Sequence, residues 1–156
     1  MATSRRLHPR KAVLFAVIAV LFAAAAWQWR PSPQQQRVDR VYFLDEGDDT
    51  LFVADATALP PIEAPSGVNG VRAYVFSCST CADASSRQIG FVTRYTDELK
   101  RAMANATINA SLEARGTLVR RPGQTQWYAM SDDGAAIVQQ VFSACPQGGR
   151  QRECLP

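Results

Sequence analysis

The sequence predicts an α+β fold: a small mixed domain of short hairpins and about three helices, behind an N-terminal transmembrane helix. Three observations lead there. Paired β-branched and aromatic segments flank turn-forming clusters at Asp45–Asp49 and Arg121–Gln124. Residues alternate from Val71 to Phe76 as in a strand and run straight into Cys78-Ser-Thr-Cys81. Apolar residues recur at three- and four-residue spacing over 89–99 and 137–145, each stretch near a helix-capping residue.

With 156 residues there is room for one domain and a targeting segment. An apolar share of 47% with 20% charged residues excludes an intrinsically disordered chain. The net charge of +3 is unevenly placed. Arg5, Arg6, Arg10 and Lys11 precede the apolar run Ala12–Trp29, and the remaining 13 cations face 14 carboxylates from Arg30 onward. The domain is therefore close to neutral, without the basic footprint of a nucleic-acid binder. Arg far outnumbers Lys and Ala is abundant, a composition that suggests a bacterial source. The single histidine, His8, lies ahead of the apolar run, so no Ser-His-Asp or Cys-His catalytic set and no His-containing zinc site can form in the remainder.

Residues 1–11 are basic, and residues 12–29 are just long enough to cross a bilayer core as a helix. Trp27 and Trp29 suit the interfacial aromatic belt, and the basic block ahead of the span places the N-terminus in the cytoplasm and residues 30–156 outside. A cleaved signal peptide with a small-residue site among Ala23–Ala26 is the alternative. Both readings export the domain, to the periplasmic or extracytoplasmic side. Residues 30–37, polar and Pro-containing, read as a linker, and residues 38–156 as the exported domain.

Within it, Val38–Leu44 and Thr50–Ala54 predict a hairpin around Asp45-Glu-Gly-Asp-Asp49. That acidic turn lacks the spacing and terminal Glu of a calcium loop. Prolines make Leu59–Gly67 a polyproline-like loop. In the next strand, Val71, Ala73 and Val75 share one face and Arg72, Tyr74 and Phe76 the other. After the Cys turn, Asp83 or Ser85 predicts a helix start, with Ile89, Val92, Tyr95 and Leu99 as its stripe. Thr96-Asp-Glu98 is itself a helix start, so two helices, or one kinked there, should run out near Asn105. Asn105-Ala-Thr107 and Asn109-Ala-Ser111 match the glycosylation tripeptide, a pattern common by chance. Gly116–Arg120 and Gln126–Met130 form the second hairpin. Ser131 predicts the cap of a last helix carrying Ile137, Val138, Val141, Phe142 and Cys145 on one face, stopped by Pro146. The tail Gln147–Pro156 is loose unless Cys154 ties it down.

Three chemistries compete for Cys78, Cys81, Cys145 and Cys154. Two disulfides suit an exported domain of this size, with three connectivities open. Cys145 and Cys154 close a short loop if Cys78 pairs with Cys81; otherwise the tail is stapled back to the turn. A four-cysteine zinc site would use all of them as metal ligands, although the second pair is spaced widely for one. Zinc is thus the one cofactor the residues suggest. As a redox pair, Cys78 would attack and Cys81 resolve, in the strand, Cys-x-x-Cys, helix order in which a helix N-terminus lowers the first thiol's pKa. No Trp precedes the motif, no clear βαβ unit surrounds it, and Pro122 reads as a turn residue rather than a partner-loop proline.

The Val41-Tyr-Phe-Leu-Asp45 strand, the Leu59–Gly67 loop, the Val71–Cys81 segment and Tyr95-Thr-Asp-Glu98 together resemble an uncharacterised group of bacterial single-span exported proteins. The likeness covers residues 41–104 and implies location and origin, with no catalytic residue to carry over. The sequence thus leads to a membrane-anchored exported protein, non-enzymatic, structural or interactive. It would meet the membrane through residues 12–29 and a protein partner through its domain, and no nucleic acid. An envelope thiol-disulfide oxidoreductase using Cys78 and Cys81, or a docking domain stabilised by zinc on the four cysteines, is the alternative.

Overall fold

The structure, a computed structural model, describes residues 39–143, 145 and 151–156. The expectations for the basic N-terminus, the membrane segment at 12–29, the linker at 30–37 and the stop at Pro146 lie outside the described residues. Among the described residues, no helix is long and apolar enough to cross a membrane.

The first hairpin forms as its turn chemistry requires. β1 (Arg40–Asp45) pairs antiparallel with β2 (Leu51–Asp55), Phe43 opposite Phe52. The turn closes through Asp45 N–H to Thr50 O at 2.9 Å, and Asp49 takes the left-handed conformation (φ 57°) that Asp tolerates better than most residues. The proline loop is not wholly irregular: after a cis Pro60–Pro61 bond, β3 (Ile62–Glu63) pairs with the start of β4 (Asn69–Ser77).

β4 is the centre of an antiparallel sheet of order β2-β1-β4 continuing through three later strands. Beyond it the prediction of a helix fails. Only a 3₁₀ turn, Ala84–Ser86, comes after the Cys segment, and Arg87–Tyr95 is a strand, β5, laid along β4. Tyr74 stands opposite Phe91 but Val75 opposite Ile89, so Gly90 is an extra, bulged residue. The bulge shifts alternation by one, placing Ile89 and Val92 on the same face three residues apart. A bulged strand therefore imitates helical spacing. Glycine is needed there, because a Cβ on Gly90 would come within 2.5 Å of Val141 and 2.8 Å of Phe76.

Thr96 does start a helix: its hydroxyl accepts from Leu99 N–H at 3.3 Å, and Asp97 and Glu98 occupy the first turn of α1 (Asp97–Ala104). A further helix, α2 (Ala110–Gly116), has no counterpart among the sequence expectations; Asn109 caps it by accepting from Leu112 N–H at 2.9 Å. The signal for it is Asn109 itself, a capping residue that also belongs to a glycosylation tripeptide. The second hairpin is present, β6 (Thr117–Arg120) pairing with β7 (Tyr128–Ala129). Ser131 does not cap the last helix. A wide turn at Met130–Gly134, with Asp132 outside helical geometry, leads into α3 (Ala135–Phe142). The tail is tied down: β8 (Arg152–Cys154) pairs with β4 at Val75–Ser77.

β4 thus has neighbours along both edges. β1 and β8 share one, β5 and β3 the other, and β6 and β7 extend the sheet beyond β5. The helices pack on one side, as the α+β reading expects. Ile137 and Val141 of α3 close on Phe76, Phe91 and Val119, while Leu99, Ala102 and Leu112 of α1 and α2 gather beside Tyr95. On the other face Leu44, Val71, Ala73 and Val92 are buried beneath Tyr42, Ile89 and Trp127 rather than beneath a helix.

Candidate functional site

The Cys78–Cys81 turn is built from β4 outward. Ser77, buried at the strand's last position, holds Ser79 N–H through its hydroxyl at 3.1 Å and meets the Ser86 hydroxyl at 3.0 Å. Ser86 Oγ lies 2.7 Å from Thr80 O, and Arg87 Nε donates to Cys81 O at 2.8 Å. At the turn's end Asp83 accepts from Ser85 Oγ–H and N–H, which holds its carboxyl below the usual range. Side chains of β4, the 3₁₀ turn and β5 therefore fix this turn locally.

Onto it close two disulfides, Cys78–Cys145 and Cys81–Cys154, with sequence separations of 67 and 73. Of the three connectivities open to the sequence, two carry both later cysteines back to the turn, and the fold selects Cys78 with Cys145 and Cys81 with Cys154. The sequence places Cys145 three residues beyond α3, and Cys154 ends β8. Each bond fastens a different C-terminal element to β4. The pairing is the disulfide arrangement among the three chemistries the sequence leaves open. All four sulfurs are consumed, so the zinc arrangement, which needs Cys78, Cys81, Cys145 and Cys154 as thiolates, is not the one formed. Cys78 and Cys81 are not bonded to each other, and the helix whose N-terminus was to activate Cys78 is replaced by a three-residue 3₁₀ turn and a strand.

A second candidate is the helix-free face. Register places Tyr42, Leu51, Val53, Arg87, Arg94, Arg120 and Trp127 there. Trp127 carries two guanidinium groups, Arg94 at 4.4 Å and Arg120 at 4.7 Å from its ring centroid. Glu46 pairs with Arg120, whereas Arg87, hydrogen-bonded to the Tyr42 hydroxyl at 3.1 Å, and Arg94 have no carboxylate at ion-pair distance among the described residues. Leu51 and Val53 of the edge strand are 41% and 36% exposed. No sequence motif marks this surface, because its residues come from several strands and the approach to β7.

On the helix side, a shallow hollow is lined by Tyr74, Tyr95, Glu113 and Met130. Burial first, then the neighbouring Tyr74, pushes the Tyr95 hydroxyl pKa up, so that it stays protonated and can donate a hydrogen bond. Compared with family models, curated proteins and solved structures, the chain matches none. What stands is a disulfide-stabilised α+β domain.

Proposed function

We propose that the chain is an exported, membrane-anchored interaction module, held outward by residues 12–29 and engaging a partner protein through its helix-free sheet face. The observation that carries this is the double staple: oxidised cysteines persist outside the reducing cytoplasm. The apolar run behind a basic block supports the anchor. The sheet face supports the binding role, because it joins exposed Leu51 and Val53 to Trp127 with guanidinium groups on it, and Trp and Arg are enriched at protein interfaces. Arg87 and Arg94, with no carboxylate at ion-pair distance among the described residues, suit a partner whose contact carries apolar side chains rimmed by Asp or Glu.

The test has two arms in a bacterial host producing the full chain. Protease added to spheroplasts should digest the domain while intact cells protect it, with all four cysteines refusing alkylation until reduced. A protected domain with free thiols would end the exported reading. A photo-crosslinker at Val53 should give a discrete adduct that Arg94→Glu abolishes, whereas one at Arg101 on α1 should not. Equal adducts from both positions, or none from Val53, would end the sheet-face reading.

A further inference from the structure

We propose that Cys78–Cys145 is a reaction site for an external dithiol, and that its reduction passes through Cys78 to the second disulfide, releasing the C-terminal strand. The two bonds differ in access. Cys78 is exposed and its partner Cys145 half-buried, whereas Cys81 is half-buried and its partner Cys154 only 2% exposed within β8. A dithiol of protein or small-molecule type therefore reaches the first bond more readily.

The chemistry balances in two stages. One thiolate of the reductant attacks the Cys78–Cys145 bond to form a mixed disulfide, and its second thiol resolves that intermediate. Cys78 and Cys145 are left as thiols, and the reductant departs as its own disulfide, having given up two electrons and two protons. Cys78 thiolate then attacks Sγ of Cys81. The Cys78–Cys81 bond forms, the Cys81–Cys154 bond breaks, and Cys154 leaves as a thiolate that takes a proton from water. No electrons are gained or lost in this second stage.

Two features favour it. Only Ser79 and Thr80 separate the two sulfurs' residues, and the turn is held by Ser77 of β4, Ser86 of the 3₁₀ turn and Arg87 of β5, all outside the segments the disulfides bring in. Opening Cys78–Cys145 therefore leaves the attacking residue beside its target, at high effective concentration. The group released is weakly held otherwise: β8 contributes three residues to the edge of β4. The Cys-x-x-Cys spacing, whose Cys78–Cys81 pairing the resting fold does not use, becomes the acceptor state of this exchange.

The proposal goes beyond the anchoring and docking reading and is tested on the purified full chain, so either can fail without the other. Limiting dithiothreitol, followed by acid quench, alkylation and peptide mapping, should give as the first product a chain with Cys78 bonded to Cys81 and with Cys145 and Cys154 alkylated. A first product alkylated at Cys78 and Cys145 with Cys81–Cys154 intact overturns the transfer, and prior opening of Cys81–Cys154 overturns the order. Cys145→Ser supplies the Cys78 thiol without reductant. Most of that variant should map as Cys78–Cys81 with Cys154 alkylated, whereas persistence of Cys81–Cys154 beside an alkylated Cys78 refutes the exchange. Cys78→Ser should keep Cys81–Cys154 closed at the dithiol dose that opens it in the unsubstituted chain; equal opening in both overturns the route through Cys78.

Discussion

The two ends of β4 solve one problem in different ways. Each must fasten a distant piece of chain to the central strand. At the Asn69 end the fastener is a carboxylate. Asp45 is fully buried, and its oxygens accept from Ser66 Oγ–H at 2.5 Å, Gly47 N–H at 2.8 Å and Ser66 N–H at 3.0 Å, joining the first hairpin to the loop before β4. At the Ser77 end the fastener is covalent, through Cys78–Cys145 and Cys81–Cys154. The first end reports on protons and the second on thiols. A buried charge is tolerated only when its hydrogen bonds are complete, whereas a disulfide holds an element that has little packing of its own.

That contrast can be broken from its strong side first. Replacing Cys81 and Cys154 together by Ser should cost about 3 kcal/mol, the loop-closure entropy of the short loop that remains when Cys78–Cys145 already joins the same two segments. Chemical denaturation should show the loss, and hydrogen exchange should show it concentrated at Val75–Ser77. Equal loss of protection at Asp45–Thr50 would mean that the two ends are not separate. Asp45→Ala should lower the Tm by less than the double Cys replacement, with protection lost at Gly47 and Ser66 instead.

Acid should act most directly at the Asp45 end, and at the Cys turn only through Asp83. The Ser66 hydroxyl most strongly, then the Gly47 and Ser66 amides, hold the Asp45 carboxyl below its ordinary value of 3.8 against an opposing effect of desolvation. A group whose folded pKa is depressed adds stability that is present above the unfolded value and lost as pH falls through the folded one. Asp55, held down by Thr57, and Asp83, held down by Ser85, have the same sign. Stability should therefore be insensitive to these groups from neutrality to about pH 4 and should decline below it. Asp45→Asn should remove part of that decline. An acid transition unchanged in that variant would show that Asp45 is not the proton-sensitive fastener. Smallest of all, Asn109→Ala should cost about 1 kcal/mol as a lost N-cap, measured by denaturation with the acid and thiol responses of both ends intact.

Much of the architecture was legible because it was local. The Asp45–Asp49 and Arg121–Gln124 turns carry their own chemistry, and Thr96 with two acids behind it starts a helix in any surroundings. β5 was illegible for a definite reason: the bulge at Gly90 gives a strand the spacing of a helix, and only β4 alongside shows which it is. The last helix is legible but its start is not, since the turn at Met130–Gly134 depends on Gly134, where a Cβ would stand 2.6 Å from Ala129 O. α2 is not legible because seven residues are too few for a clear apolar stripe.

By itself, the sequence determined an α+β composition, two hairpins, a strand ending in Cys-x-x-Cys, and four cysteines with disulfide, zinc and redox chemistry all open. The tertiary structure decided which chemistry formed. Pairing is a matter of distance between chain segments some seventy residues apart, and no local pattern encodes that distance. It likewise decided what the helix-free side carries, Trp127 with its two arginines, because register fixes which residues meet across strands.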